Sequence, residues 1–357
     1  MKRCWPLALL GLVAISALLR PSPETISRPF LPSDVSQEEV GVPSAGEPSV
    51  PLAADAEETP ETPEPPTGTV SGTYSPSIRA HLWLARAQNE DGSWGDGPAT
   101  LGMDTIGRTG ITALAVLSFF GDGYTHFSKD QYDEQDFGRT VRRSLKWLQQ
   151  DQQEDGTFRS VRGGSLDQAI ASFALMEVYG MTASPSLKEP AQKALDALVR
   201  LQRADGSWNG DGPTAWAMWA LRSAEMNEQL FASEAKTRAV EYAKGSMDPG
   251  IADSRMAWSR KRTPEEFLLL QNLGAPQSLD FDRLLFGTVA ASSFDGPEGS
   301  VCVQWREGLR AAVLPAQQAD GSWAGGTRSQ TVVRSSLALQ TLQVYYHHHP
   351  AVFSTQR

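Results

Sequence analysis

The sequence predicts an all-α fold, an α/α toroid in which about six inner helices are surrounded by five to six outer helices. Two observations lead to this prediction. A short motif, QxxDG(S/T)(W/F), occurs four times after residue 74, and two kinds of helix alternate between its copies. Helix-turn units that recur at a spacing of several tens of residues are typical of repeat architectures.

Each copy of the motif closes a predicted helix and supplies the turn after it. Glycine tolerates the positive φ angle common at helix C-termini, and aspartate can accept a hydrogen bond from the nearby backbone. The aromatic residue is then expected to pack back on the helix that has just ended. The motif residues are Gln88, Asp91, Gly92 and Trp94; Gln152, Asp155, Gly156 and Phe158; Gln202, Asp205, Gly206 and Trp208; and Gln317, Asp320, Gly321 and Trp323.

The helices that end in the motif have one polar face, whereas those that follow it have almost none. In the segment 139–150, for example, Val141, Leu145 and Leu148 share a face opposite the basic residues, which indicates a half-exposed helix. The segments 109–120 and 214–224 are apolar nearly all round, which indicates burial on every side. Alternation of the two kinds favours a closed double ring over an open solenoid.

The spacing of the motif predicts where the ring departs from regularity. The motif aspartates are 64, 50 and then 115 residues apart. The long interval is expected to hold an outer helix over 232–244 and inner helices over 263–273 and 281–293. Only seven residues, 274–280, lie between the last two, so the ring is expected to be thinned there.

The first 73 residues are predicted to lie outside the toroid. Residues 1–20 contain Lys2 and Arg3 followed by sixteen uncharged residues, a pattern typical of a signal peptide or an N-terminal membrane anchor. Residues 21–73 contain eleven prolines and ten acidic residues against one arginine, which favours a disordered linker. The toroid is assigned to 74–346 and a tail to 347–357. The chain is therefore expected to be exported to the periplasm or cell envelope, or held at the inner membrane.

These motifs resemble the QW repeat of the squalene cyclase and protein prenyltransferase β-subunit superfamily. The resemblance covers about residues 76–346 and includes the segments GPTAWAMWAL and FDRLLFGT. It looks closest to a bacterial branch with an N-terminal membrane segment. It implies an α/α toroid with an apolar central cavity that takes polyprene substrates.

The short motifs on which catalysis in that superfamily depends are absent. Its cyclases use a DxDD(T/S)A acid, whereas this chain has no Asp-Asp pair and offers only Asp211 before Thr214 and Ala215. Its prenyltransferases bind zinc through a DxC pair and a histidine, whereas Cys302 is preceded by Ser300. Asp211 as a helix cap and Cys302 as a buried structural residue are the plainer interpretations. No metal or other cofactor is predicted.

Two further groups of residues are candidates for a binding site. Aromatic residues on the inner helices are expected to line the cavity or to be plain core: Trp216, Trp219, Phe119, Tyr179 and Phe286. Acidic residues at the starts of buried helices are expected to gather at one mouth of the ring, as caps or as a ligand site: Asp104, Asp167, Glu266 and Asp282. Inner helices of a toroid all begin at the same end, which is why these carboxylates should meet.

The preferred hypothesis is a non-catalytic toroid of the cell envelope that binds an isoprenoid, a lipid or a protein segment. A divergent class II terpene cyclase or prenyltransferase is the alternative, and a carbohydrate-acting toroid with two cavity carboxylates is a third. The toroid segment carries nearly balanced charge, so no nucleic-acid-binding surface is expected.

Overall fold

A computed structural model describes most of the predicted toroid segment. The described residues are 74–159, 164–227, 233–244, 246–259, 264–273, 276, 278–296 and 298–347. The predicted signal peptide or anchor, the linker and residues 348–357 of the tail lie outside them. Within the described residues, no helix is both long and apolar enough to cross a membrane.

Twelve α-helices in the described residues alternate between an outer and an inner position. The outer helices are α1 (Pro76–Arg86), α3 (Phe137–Asp151), α5 (Pro185–Arg200), α7 (Ser233–Tyr242), α9 (Pro264–Leu273) and α11 (Ser300–Val313). The inner helices are α2 (Arg108–Gly121), α4 (Gly164–Thr182), α6 (Asp211–Met226), α8 (Pro249–Ser259), α10 (Phe281–Asp295) and α12 (Arg328–His347).

The inner helices form a closed ring. Each packs on the next in the order α2, α4, α6, α8, α10 and α12, and α12 returns to α2. Across this closure, Gln340 and Gln343 of α12 donate to the carbonyl oxygens of Leu114 and Ser118 on α2, at 3.1 and 2.6 Å. The predicted α/α toroid is confirmed, because a chain of packed helices that returns to its first member leaves no open end.

Burial follows from the position in the two rings. Every residue of α2 from Thr109 to Gly121 is buried, and so is every residue of α6 from Pro213 to Ala224. Outer helix α3 buries Val141, Leu145 and Leu148 on one face only. The two kinds of helix therefore differ in polarity because inner helices are surrounded by protein, whereas outer helices have one face exposed to solvent.

The four motifs make four of the six connections between consecutive outer helices. The Gln88 side-chain amide donates to the carbonyl oxygens of Gly92 and Thr140, both at 2.9 Å, and so joins its own turn to α3. The other three copies make the equivalent long-range bonds, at 2.8 to 2.9 Å, from Gln152 to Pro190, from Gln202 to Ala235 and from Gln317 to Pro76. The last of these bonds joins α11, the last outer helix in the sequence, to α1, the first.

The tryptophan of the motif fastens the turn to the helix that precedes it. Trp94 is fully buried, and its indole nitrogen donates to the carbonyl oxygen of Leu84 at 2.7 Å. Trp208 and Trp323 make the same bond to the residue ten positions earlier, at 2.7 and 2.8 Å. A helix carbonyl that would otherwise lack an intrahelical partner is thereby satisfied.

The interval without motifs contains a complete pair of helices, inner α8 and outer α9, that the sequence analysis did not predict correctly. Helix α8 occupies the inner ring between α6 and α10, whereas α9 packs on α10 from outside. The prediction of an inner helix over 263–273 is therefore wrong, and the ring is not thinned at 274–280. Helix α8 was not predicted as an inner helix because inner helices were expected to be apolar, whereas its buried residues include Asp253, Ser254 and Arg255.

Two short antiparallel hairpins interrupt the helical pattern. The first joins β1 (Ala99–Leu101) to β2 (Asp104–Ile106), and the second joins β3 (Gln131–Tyr132) to β4 (Gln135–Asp136). Neither hairpin was predicted. The first lies at the end of the ring where the inner helices begin.

Candidate functional site

The end of the toroid at which the inner helices begin is called here the mouth. The hairpin of β1 and β2 lies across it: β1 packs on α12, and β2 packs on α2 and α4. Its turn reaches the opposite side, since a Cβ atom at Gly102 would lie 3.0 Å from a carboxylate oxygen of Asp282 at the start of α10. A Cβ atom at Gly212, in the first turn of α6, would lie 2.7 Å from Asp104 of β2. The hairpin therefore spans the mouth.

One face of the hairpin points into the ring. Ala99, Leu101 and Ile106 are buried, whereas Thr100 and Thr105 are exposed. The register pairs Leu101 with Asp104 and so places Asp104 on the inward face. The hairpin consequently brings a carboxylate toward the starts of the inner helices.

Five aspartates from the hairpin and three inner-helix starts surround the mouth. They are Asp104, Asp211, Asp248, Asp280 and Asp282. Of the four acids expected at one mouth, Asp104 and Asp282 are thus brought together. The described residues contain no group of three or more such side chains placed to hold a metal ion.

The carboxyl group of Asp282 is the most perturbed of the five. Burial, followed by the charges of Asp248, Asp280 and Asp104, raises the pKa of Asp282 to about 7. Burial also raises the pKa of Asp104 and, with a contribution from Asp211, that of Asp248. Near neutral pH the mouth therefore retains a proton that an isolated aspartate would have lost.

The other two acids expected at the mouth have different positions. Asp167 is almost fully buried and accepts hydrogen bonds from the backbone nitrogen of Gly107 at 2.9 and 3.2 Å. It thus links the starts of α2 and α4. Glu266 was expected on an inner helix, but it lies in outer helix α9, and its side chain is outside the described residues.

Asp211 is exposed at the start of α6, where Tyr242 donates to it at 2.7 Å. It is not surrounded by the buried environment that a cavity acid needs. The structure is consistent with the plainer interpretation of this residue, a carboxylate in the favourable field of a helix N-terminus.

A cleft opens at the mouth between the hairpin and the starts of α10 and α12, and we call it the mouth cleft. Its volume is about 310 Å³, at the lower end of the range of about 300 to 1,000 Å³ for ligand pockets. Six of its twelve lining residues are apolar: Leu101, Met103, Leu279, Phe281, Val333 and Leu337. The polar contributors are Thr100, Asp280, Asp282, Gln330 and Arg334.

Three of the five predicted cavity aromatics meet inside the ring. Trp216, Trp219 and Phe286 have ring centroids 4.9 to 5.5 Å apart, and Phe173 lies at 5.7 Å from Trp219. All three predicted residues are buried. At these separations the rings pack on one another, so this part of the interior is filled by the protein itself.

Phe119 and Tyr179 do not belong to this cluster. Phe119 contacts His81 and Phe137 at 4.8 and 5.5 Å, and so lies between the inner and outer rings and not in the cavity, which is the plain-core alternative. An apolar inner helix has one side toward the axis and another toward the outer helices, and residue type alone does not separate them. Tyr179 is partly buried on α4.

A buried charged cluster, which the sequence patterns did not reveal, joins three consecutive inner helices. Arg222 of α6 bonds Asp253 of α8 at 2.6 Å, and both side chains are at most 9% exposed. Glu177 of α4 is buried beside them and is hydrogen-bonded to Ser223. Burial raises the pKa of Glu177 to about 7, against the lowering effects of Ser223 and Arg222. A charge within an otherwise apolar helix is the signal that would have identified them.

Cys302 has the surroundings of a structural residue. It is buried, its nearest polar side-chain partner is Ser292 at 3.9 Å, and burial raises the pKa of its thiol. A raised pKa disfavours the thiolate that binds zinc. The side chains of the histidines at 347–349 lie outside the described residues.

Comparison with solved structures supports the fold. A variant of the type II terpene cyclase MstE from Scytonema, solved with geranylgeranyl dihydroxybenzoate as substrate, aligns with a TM-score of 0.52 and 12% identity. The alignment covers 76% of this chain and 96% of that one. A protein from Actinoplanes also aligns, at 12% identity over 76% of this chain and 98% of its own, but its TM-score of 0.34 supports no inference.

No protein-family profile matches the chain, and no curated protein does. The closed ring of inner helices and the alignment with the terpene cyclase structure define a terpene cyclase-like α/α toroid. This similarity concerns the fold alone. The narrower assignment to the squalene cyclase and prenyltransferase branch stays a prediction.

The proton on Asp282 gives a testable pH dependence. A carboxyl group whose folded-state pKa is raised stabilises the fold fully below its unfolded-state pKa, about 4, and this contribution is lost as the pH rises through about 7. Asp282→Asn is neutral at every pH. We therefore expect the free energy of unfolding of Asp282→Asn, measured with urea, to increase by about 2 kcal/mol relative to that of the parent between pH 5 and pH 8.

Glu154→Gln is the matched control, since Glu154 is exposed on an outer turn. Its difference from the parent should not change with pH. An equally flat difference for Asp282→Asn would show that Asp282 is ionised in the folded protein.

Proposed function

We propose that this toroid is a non-catalytic binding protein that takes an isoprenoid or another lipid in the mouth cleft. The observation that carries the proposal is the cleft itself, with six apolar wall residues between the hairpin and the inner helices. A pocket with apolar walls and a few polar groups is the usual form of a small-molecule site. The ligand would enter at the mouth and need not reach the aromatic cluster.

The packing of the interior supports binding over cyclisation. A cyclase must enclose a folded polyprene, but Trp216, Trp219 and Phe286 occupy the axis of the ring with their own contacts. The acid motif of the superfamily is also absent from the sequence. Toroids of one shape serve unrelated functions, so the fold alone does not argue for catalysis.

The ligand of the structural neighbour is compatible with this proposal. The MstE structure is described with geranylgeranyl dihydroxybenzoate, which joins an apolar isoprenoid chain to a polar aromatic group. A molecule of that general kind would match a cleft with apolar walls and a polar side.

The proposal is tested with the full-length chain in two measurements. Native mass spectrometry after exposure to a lipid extract of the source organism should detect a retained lipid, and the same sample should contain no stoichiometric zinc. Farnesol affinity should then fall about tenfold in Met103→Asp, because Met103 is a fully exposed wall residue of the cleft and a charge there opposes an apolar ligand.

Phe127→Asp is the control for that variant. Phe127 is also a large exposed apolar residue, but it lies in the loop after α2, at the end of the ring away from the mouth. Equal farnesol affinity in the two variants, or no lipid binding by the parent, would contradict the proposal. In the second case a protein segment becomes the preferred partner.

A proton-initiated polyprene cyclase is the second candidate, and Glu177 favours it. This buried carboxyl group has a pKa of about 7, and one of its oxygens has no hydrogen-bond partner within the described residues. It lies one helical turn from Phe173, which contacts Trp219 at 5.7 Å. A protonated acid beside aromatic rings could donate a proton and stabilise the resulting cation.

Incubation with squalene and other polyprenes, followed by product analysis, separates the two candidates. A cyclase should form a product that Glu177→Gln abolishes while ligand binding persists. Glu154→Gln should leave that product unchanged, because Glu154 is exposed on an outer turn. The absence of any product from the parent chain would leave the binding function.

We also propose that the protein acts in the cell envelope. The support is the sequence of residues 1–20, with its two early basic residues and uncharged run. Fractionation of cells and N-terminal sequencing of the mature chain test this. A cytoplasmic chain that begins at Met1 would contradict it.

A further inference from the structure

We propose that the mouth cleft recognises a single anionic group, a carboxylate or a phosphate, at the end of an apolar chain, and that Arg334 binds it. This inference rests on the proposed lipid-binding function and names the chemical class of the ligand. It assigns a binding role to a residue that no motif in the sequence distinguishes.

Arg334 is a cation without an anionic partner. It lies in the first half of α12, is partly buried, and places its guanidinium group 5.2 Å from the ring centroid of Phe281. Its Nε atom is buried and has no hydrogen-bond partner, and no ion pair to Arg334 occurs within the described residues. Buried guanidinium groups normally find carboxylates or carbonyl oxygens.

Two other arginines of the inner ring have such a partner. Arg222 pairs with Asp253 at 2.6 Å. Arg328, six residues before Arg334 on α12, also has a buried Nε atom without a partner, but its Nη2 atom donates to the carbonyl oxygen of Ala87 at 2.8 Å. Arg334 is different because its guanidinium group has neither an ion pair nor a hydrogen bond within the described residues, and it lines the mouth cleft. An external anion would supply the missing partner.

The acids that line the same cleft do not replace that anion. Asp280 accepts from the backbone nitrogen of Arg283 at the start of α10, at 3.4 Å, and no ion pair joins it to Arg334. Burial and the neighbouring carboxylates raise the pKa of Asp282 to about 7, so about half of the molecules carry its proton at pH 7, and the protonated group can donate a hydrogen bond to an anion. The side-chain amide of Gln330 is already engaged at both ends with the backbone of Thr100, at 2.8 and 3.0 Å.

The apolar walls continue directly from Arg334. Val333 and Leu337 belong to the same stretch of α12, and Leu101 of the hairpin and Leu279 before α10 lie across the cleft from them. An anionic head at Arg334 would therefore leave its chain against these side chains. A chain without a charged head would fill the walls but leave the guanidinium unpaired.

The test uses the full-length protein and three probes with the same chain: dodecanol, dodecanoate and dodecyl phosphate. Calorimetric titration at pH 7 should give about tenfold tighter binding of at least one anion than of dodecanol, because a charge-assisted hydrogen bond is made only with the anion. Arg334→Gln should remove this advantage and leave the dodecanol affinity within about twofold of the parent. Arg334→Lys should keep part of the advantage, since it retains the charge but loses the planar fork.

Arg283→Gln is the matched control, because Arg283 is an exposed arginine at the start of α10. It should retain the full anion advantage. An advantage for both anions supports recognition of charge, and an advantage for one of them supports that head group. Dodecanol binding with no anion advantage, or an advantage that Arg334→Gln preserves, overturns the role of Arg334 alone. Failure of all three probes overturns the proposed function as well.

Discussion

Replacing Arg222 by methionine is expected to lower the free energy of unfolding by about 3 to 5 kcal/mol. The side chains of Arg222 and Asp253 are 9% and 1% exposed, and their charged atoms are 2.6 Å apart. Removal of the cation leaves a carboxylate in the inner ring without its counter-charge. The cost of that isolated charge, more than the loss of the bond, sets the size of the effect. Urea unfolding at pH 7.5, followed by circular dichroism, measures it.

The double variant Arg222→Met, Asp253→Leu identifies the cause. It removes both charges and should recover much of the lost stability, because two apolar side chains can replace a buried ion pair at little cost. Lys193→Met is the surface control: Lys193 pairs with Glu189 at 2.8 Å on the exposed face of α5, and its loss should leave the unfolding midpoint unchanged. A double variant as unstable as Arg222→Met would mean that packing around Arg222, and not its charge, stabilises the ring.

Gly206→Ala is expected to cost about 3 kcal/mol or more, through two separate effects. The backbone at Gly206 has a φ angle of 91°, where an L side chain costs about 1 to 2 kcal/mol. A Cβ atom there would also lie 2.2 Å from the carbonyl oxygen of Arg238, on the next outer helix. Since that oxygen belongs to helix backbone, α7 would have to move away from the turn, and overpacking of this kind adds about 1 to 3 kcal/mol.

Two other glycines separate these effects. Gly164 has a φ angle of 55° but nothing within 4 Å of a Cβ atom, so Gly164→Ala should show only the conformational cost. Gly326 has neither constraint, and its substitution should be close to neutral. The expected order of destabilisation in urea unfolding is Gly206→Ala, then Gly164→Ala, then Gly326→Ala. Equal effects at Gly206 and Gly164 would show that close approach of the outer helices does not matter.

The sequence alone determined the repeat and the two-ring architecture. The motif can be recognised in the sequence because its contacts are local or reach only the adjacent outer helix. Its glutamine and tryptophan donate to carbonyl groups at fixed positions, and its glycine lets the turn pack closely against the backbone of that helix. The polarity of a helix likewise reflects how many of its sides face protein. The expected meeting of Asp104 and Asp282 also followed, since inner helices of a toroid start at one end.

Only the tertiary structure decided which residues form the site. Pairing across helices makes α8 compatible with the inner ring although it contains Asp253 and Arg255, and no local pattern encodes such partners. The hairpin over the mouth depends on contacts with α2, α4 and α12, which are distant in sequence. Phe119 and Trp216 are both aromatic residues of apolar helices, yet they face opposite sides of the inner ring. Arg334 is distinguished by the absence of an anionic partner within the described residues, a property that a sequence cannot display because ion-pair partners depend on the packing of the whole ring.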